Sequence, residues 1–250
     1  LAIGLSALVV VKFALFDTFA IGSTRTSDII GANFYFASAV AVVALLLFAA
    51  YMTARHRSQL LPQERHLYSA LIVGAGVIGA WALTAEVFSF YEHRTLGTTI
   101  LKTQQDLQNA QISAITAALA IYALPIIGIA YSRRIPALRG LGIGLTGLVT
   151  AKFILIDTGA ISSPQSSILL GANFYFASAI AVFALVSFAA YMTAKHRDQL
   201  LPQEEFLFRG LVVLVNLVAL WALSVESWRF LTGVENGGAH DLESAKHLTL

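Results

Sequence analysis

The 250-residue chain has no cysteine. Disulfides, thiol nucleophiles and cysteine-bound metals are therefore excluded, and the usual clue to redox compartment is missing. Charge is scarce too. Asp, Glu, Lys and Arg make up 12% of the residues, against about 25% in soluble domains. The formal net charge is only +2, and the basic residues are scattered rather than gathered, so nothing suggests a groove for nucleic acid. No Gly-rich phosphate loop, no nucleophile elbow and no H-E-x-x-H occurs. No motif of enzyme chemistry remains, and no cofactor or metal is implied.

What is abundant is apolar: 57% of residues. Long apolar stretches alternate with short polar ones, which is the pattern of a chain dissolved in a bilayer. About 20 apolar residues cross roughly 30 Å of hydrocarbon. Seven stretches qualify, near 1–21, 29–54, 66–91, 112–132, 141–161, 168–194 and 206–231. Segment 99–111 is polar with scattered apolar residues, and reads as a short surface helix or an extension of the next span.

The chain also repeats itself, 140 residues on. Gly31-Ala-Asn-Phe-Tyr-Phe-Ala-Ser-Ala39 returns as Gly171 to Ala179, and Phe48-Ala-Ala-Tyr-Met-Thr-Ala54 as Phe188 to Ala194. Gln59-Leu-Leu-Pro-Gln-Glu64 returns as Gln199 to Glu204. Such periodicity organises a fold before any local feature does. The expected architecture is all-α: a polytopic transmembrane helical bundle of two tandem repeats. Residues 1–140 hold four spans, and residues 141–250 hold three, with the fourth cut short. An even number of spans per repeat makes the two copies parallel, unlike inverted transporter repeats. Because both ends fall within the pattern, the expected partners are the lipid bilayer and further repeats of a longer chain, or other membrane subunits.

Lys and Arg in short loops set orientation. Arg55, Arg57, Arg65, Arg133, Arg134, Arg139, Lys195, Arg197 and Arg209 fall on one side. Arg25, Arg94, Lys102, Arg229 and Lys246 fall on the other. Loops 55–65, 133–140 and 195–205 are then cytoplasmic, while loops 22–28, 92–111 and 162–167 and the tail 232–247 lie outside.

Few ionisable groups lie inside the spans, and these are the candidate site residues. Lys12, Asp17, Asn33 and Glu86 recur as Lys152, Asp157, Asn173 and Glu226. A charge at mid-bilayer costs roughly 2.5–3.5 kcal/mol on insertion scales, so each should face protein and find a partner. At about 1.5 Å per residue, Lys12 lies roughly 13 Å, Glu86 roughly 8 Å, and Asp17 and Asn33 roughly 6 Å from the outer ends of their spans. Lys12 and Asp17 are five apart, about 140° around an α-helix. The expectation is therefore Lys12 with Glu86 and Lys152 with Glu226 across helices, with Asp17 near the outer interface beside Asn33 or the loop. This network reads either as a neutralised lock between helices or as a proton relay or anion and substrate site.

Other residues carry less. His56 and His196, each flanked by basic residues, read as solvated loop rather than metal ligands. Trp81 and Trp221 read as packing residues, and Phe34-Tyr-Phe36 and Phe174-Tyr-Phe176 as aromatic anchors at the interface. Gly74, Gly76 and Gly79 on one span, and Gly140, Gly144 and Gly147 on another, read as faces of close helix approach. Pro125 predicts a kink inside its span.

Ile121-Tyr-Ala, Arg133-Arg134, Leu138-Arg139-Gly-Leu and Ala151-Lys-Phe-Ile-Leu-Ile-Asp157 together resemble a pattern of a large bacterial membrane-protein family, domain of unknown function 2339. Trp221-Ala-Leu-Ser-Val-Glu226 is similar to that family's W-x-L-x-x-E span, and Asn33-Phe and Asn173-Phe to its N-x-x-F span start. The resemblance implies a multi-pass protein of the bacterial inner membrane and supplies no activity. The functional expectation is a structural or scaffold subunit of a membrane or envelope assembly. The alternatives are a transporter or channel using Lys12/Glu86 and Lys152/Glu226, and a membrane enzyme acting on lipid-linked substrates.

Overall fold

The computed structural model describes residues 34–56, 66–96, 101–160, 174–200 and 205–247. All the regular structure among them is helical. The helices are α1 (Phe34–Arg55), α2 (Leu67–Leu96), α3 (Leu101–Ser132), α4 (Pro136–Lys152), α5 (Phe174–Lys195) and α6 (Glu205–His247). α4 runs on through a π-helical turn, Phe153–Asp157, into a last α-helical turn, Thr158–Ala160. Six of these helices are long and apolar enough to cross a membrane. The protein is therefore read as an integral membrane protein. The expected first span, 1–21, lies outside the described residues.

Of the two readings of segment 99–111, the extension of the next span holds, because α3 is continuous from Leu101 through Pro125 to Ser132. One boundary differs from expectation. The tail 232–247 is not a loop. It belongs to α6, whose 43 residues extend about 64 Å, roughly twice the hydrocarbon thickness. A helix satisfies its own backbone in water as well as in lipid, so the membrane surface does not end it.

The turn between α3 and α4 is specified locally. The Ile135 N–H reaches Ala130 O at 2.9 Å, and the Arg134 N–H reaches Tyr131 O at 3.3 Å. Arg134 adopts a left-handed φ of 55°. This is the six-to-one, five-to-two closure that satisfies the last carbonyls of a helix. Pro136 then opens α4 at its first turn, where a missing N–H costs nothing. His56 and His196 close α1 and α5 in another way: each ring Nδ1 bonds a carbonyl four residues back, Met52 O at 3.0 Å and Met192 O at 3.1 Å.

Interhelical contacts fix the directions. Ser178 meets Ser113, and Thr193 meets Tyr131, so α5 runs parallel to α3. The Tyr122 hydroxyl donates to Gly76 O at 3.0 Å, and Gln111 Nε2 donates to Phe88 O at 2.9 Å, so α2 runs antiparallel to α3. One end of the bundle therefore gathers Arg55, Arg133, Arg134, Lys195 and Arg197. The main core lies between α3, α4 and α5 around Ile127, Val149, Phe153, Tyr175 and Leu185. A smaller core joins α1 to α2 through Ala39, Val42, Leu46, Ala75, Ile78 and Ala82.

Glycine permits close approach at selected positions. A Cβ on Gly79 would strike the Tyr122 ring, one on Gly76 would strike Leu141, and one on Gly142 would strike Ile127. Around Gly74, Gly140, Gly144 and Gly147 there is open space, so those four do not serve as packing notches here. The Trp expectation also changes, since Trp81 is 54% and Trp221 40% exposed. In lipid, an apolar ring on the outer surface costs nothing. Conversely Tyr175 is fully buried and stacks on Phe153 at 5.2 Å rather than anchoring at the interface.

Gly79→Ala is expected to push Tyr122 off the Gly76 carbonyl and to cost about 1–3 kcal/mol. Thermal unfolding in detergent micelles should show the loss. Gly74→Ala should be neutral, or stabilising by up to about 1 kcal/mol.

Candidate functional site

Lys152 closes α4, and Asp157 closes the π-helical turn that follows. In an α-helix, side chains five apart diverge by about 140°. The π turn removes that divergence. Its ladder runs from residue i to i+5, as in the Thr158 N–H bond to Phe153 O. Residues five apart are thereby brought nearly one above the other. Lys152 Nζ lies 2.6 Å from Asp157 Oδ1.

The pair is stitched to α3. Lys152 Nζ also donates to Ile112 O at 3.0 Å and to Thr116 Oγ1 at 2.6 Å. The Thr116 hydroxyl in turn donates to Asp157 Oδ2 at 2.6 Å. An ammonium has three N–H groups, and each now has an acceptor. Both carboxylate oxygens accept a hydrogen bond. Asp157 and Thr116 have no exposed surface, and 16% of the Lys152 side chain remains exposed.

This corrects the expected pairing of Lys152 with Glu226. The cation's donors are consumed by its own helix and by α3, and its ion pair is with Asp157. Asp157 is fully buried within the protein. The error came from assuming ordinary α geometry over residues 152–157. Glu86 is fully buried on α2 and Glu226 nearly so on α6. Lys12, Asp17, Asn33 and Asn173 lie outside the described residues.

Hydroxyls extend the polar seam from this cluster. Ser113, one turn from Thr116 on α3, donates to Phe174 O at 2.7 Å. Ser178 of α5 donates to Ser113 Oγ at 2.9 Å. On the other flank, Trp221 Nε1 of α6 donates to Thr158 Oγ1 at 3.1 Å, just past the π turn. Thr146 and Thr150, also buried on α4, return their hydroxyls to carbonyls four residues back, each at 2.8 Å. Four helices thus converge within one turn of Asp157. Thr116, Ser113, Ser178 and Thr158 escaped the sequence reading, since hydroxyl residues are common in membrane helices. The recurrence of Asp17-Thr18 as Asp157-Thr158, and of Ser38 as Ser178, was the available signal.

Chemically, the arrangement is a neutral, hydrogen-bonded ion pair bridged by an alcohol. Such a pair is stable in a low dielectric only while complete, because the loss of one member strands the other's charge. Among the described residues, no three His, Asp or Glu side chains gather as a metal site. Compared with family models, curated proteins and solved structures, the chain has no significant match.

Asp157→Asn leaves the Lys152 ammonium buried without its counter-charge. It should destabilise the fold by about 3–5 kcal/mol. The double change Lys152→Met with Asp157→Leu should recover most of that loss. Both are read from unfolding midpoints in micelles. Thr116→Val removes the bridge alone and should cost about 1–3 kcal/mol.

Proposed function

We propose that this chain is a structural subunit of a membrane assembly, and that Lys152, Asp157 and Thr116 lock α4 onto α3. One observation carries the reading: every donor of the ammonium and both oxygens of the carboxylate are taken by protein groups, and the carboxylate is wholly buried. A carboxyl that carries protons needs a state in which it is released to another partner, whereas a lock needs every bond kept. In this reading the chain is two tandem parallel repeats, four spans in residues 1–140 and three in residues 141–250. The support is the 140-residue sequence period and the parallel run of α3 and α5. The Lys12/Glu86 part of the network belongs to the same proposal.

A second reading is transport through Lys152 and Glu226. It draws on the residual exposure of Lys152 and on the π turn, a feature that recurs at functional sites. Protein reconstituted in sealed vesicles under a pH gradient separates the two. The lock predicts proton leak equal to that of empty vesicles, in wild type and in Glu226→Gln alike. A flux that Glu226→Gln abolishes while the protein stays folded would sink the structural reading.

The location we infer is the bacterial inner membrane, with the Arg-rich end cytoplasmic. The support is the positive-inside rule together with the gathering of Arg55, Arg133, Arg134, Lys195 and Arg197 at one end. The resemblance to domain of unknown function 2339 rests on motifs and points the same way. These 250 residues hold no cysteine, so single-cysteine variants of them report cleanly. Cysteine at Arg134 should react with an impermeant maleimide only after the cells are permeabilised. Labelling in intact cells contradicts this orientation.

A further inference from the structure

α1 and α5 have nearly the same sequence and different surroundings. Ser38, Leu45, Phe48, Ala49, Met52 and Thr53 of α1 recur unchanged as Ser178, Leu185, Phe188, Ala189, Met192 and Thr193 of α5. At 100° per residue these positions form one stripe centred on the Ser–Leu–Ala line. On α5 that stripe is covered by α3. Ser178 bonds Ser113, Phe188 faces Gly128, and Thr193 bonds the Tyr131 hydroxyl at 2.7 Å. On α1 the same stripe is open along Leu45, Phe48 and Met52 and half-buried at Ser38, Ala49 and Thr53. Leu45 is 57% exposed against 0% for Leu185, and Met52 is 38% against 7% for Met192. Phe48 is 61% exposed. α1 packs the adjoining face, through Ala39, Val42 and Leu46, against α2, so that Val42 and the half-buried Thr53 mark the edge where the two faces meet.

One hydroxyl of the α1 stripe, that of Thr53, is set as its counterpart is on the covered stripe. Thr193 gives its proton to Ala189 O at 2.7 Å, so Tyr131 is the donor in the bond between them. Thr53 gives its proton to Ala49 O at the same 2.7 Å. Its lone pairs are thus presented as an acceptor, as those of Thr193 are.

We infer that the open stripe of α1 is a docking surface for a transmembrane helix of α3 chemistry, running parallel to α1. Such a helix carries a tyrosine hydroxyl opposite Thr53, a glycine opposite Phe48 and a serine or threonine opposite Ser38. In α3 these are Tyr131, Gly128 and Ser113. The same six residues, on α5, already bind that chemistry elsewhere in the molecule. In lipid, with no hydrophobic drive between helices, small residues and hydroxyls at matched heights decide which helices pair. The inference does not depend on how Lys152 and Asp157 are used.

The test uses the chain's lack of cysteine. The 250-residue chain bearing Phe48→Cys is reconstituted in vesicles with a synthetic helix of the sequence 101–132 carrying Gly128→Cys. Insertion of the peptide is verified by oriented circular dichroism. Val40→Cys, exposed on the opposite face of α1, is the control, and Leu45→Cys is a second reporter on the stripe. Disulfide cross-linking is expected at 48 and 45 several-fold above 40. Tyr131→Phe in the peptide, or Thr53→Val in the protein, should lower it about threefold. An inserted peptide that cross-links equally at 40 and 48, or at neither, overturns the inference. So does a protein–protein disulfide at 48 that the peptide fails to compete, because the occupant is then a second copy of the chain.

Discussion

A membrane interior tolerates an ammonium only when each of its hydrogens has an acceptor and its charge is matched. Lys152 meets that condition within one helix turn and one neighbouring helix, and the local structure bends to allow it. The π turn at Phe153–Asp157 gives up regular α bonding. In return it aligns a cation and an anion that α geometry would hold apart. Thr116 then serves both charges at once, with its oxygen toward the ammonium and its proton toward the carboxylate. α3 and α4 are joined by this one cluster more tightly than apolar packing between them requires.

The rest of the bundle uses weaker versions of the same device. Apolar side chains gain little by leaving lipid for protein, so helix pairs are chosen by shape and by hydrogen bonds. Tyr122 lies over Gly79 to reach Gly76 O, and Ser113 with Ser178 registers α3 against α5 at one end, as Tyr131 with Thr193 does at the other. Two bonds near opposite ends of a helix pair fix both height and rotation. Tyr131 also stacks on His196 at 5.6 Å, and Arg139 lies 5.7 Å above its ring. The Arg-rich end is thereby tied to the packed interior by an aromatic residue.

Exposure in this protein follows neighbours rather than residue type. Large apolar side chains such as Leu155 and Trp228 stand outward, while Asp157 and Glu86 are enclosed. That inversion is what a bilayer solvent demands: carbon faces outward, and Lys152 and Asp157 face one another. The contrast between α1 and α5 is the same rule applied twice to one sequence. A leucine at 0% and its counterpart at 57% sit on the same stripe, which α3 covers on α5 and does not cover on α1.

Helix class and the positions of the six described spans were legible in the sequence, because each is a local property. Roughly twenty apolar residues need a helix in lipid, and a lysine among them needs a partner whatever the fold. Boundaries were less legible: α3 and α6 run past the apolar stretches since nothing in water stops them. The partner of Lys152 was not legible at all. Asp157 was set aside because five residues of α-helix point the two apart, and only packing against Ile112 and Thr116 makes the π turn worth forming. Sequence determined that the charges must be neutralised. Tertiary structure decided with what, because the energy of a buried ion pair depends on where the third and fourth hydrogen-bonding groups lie.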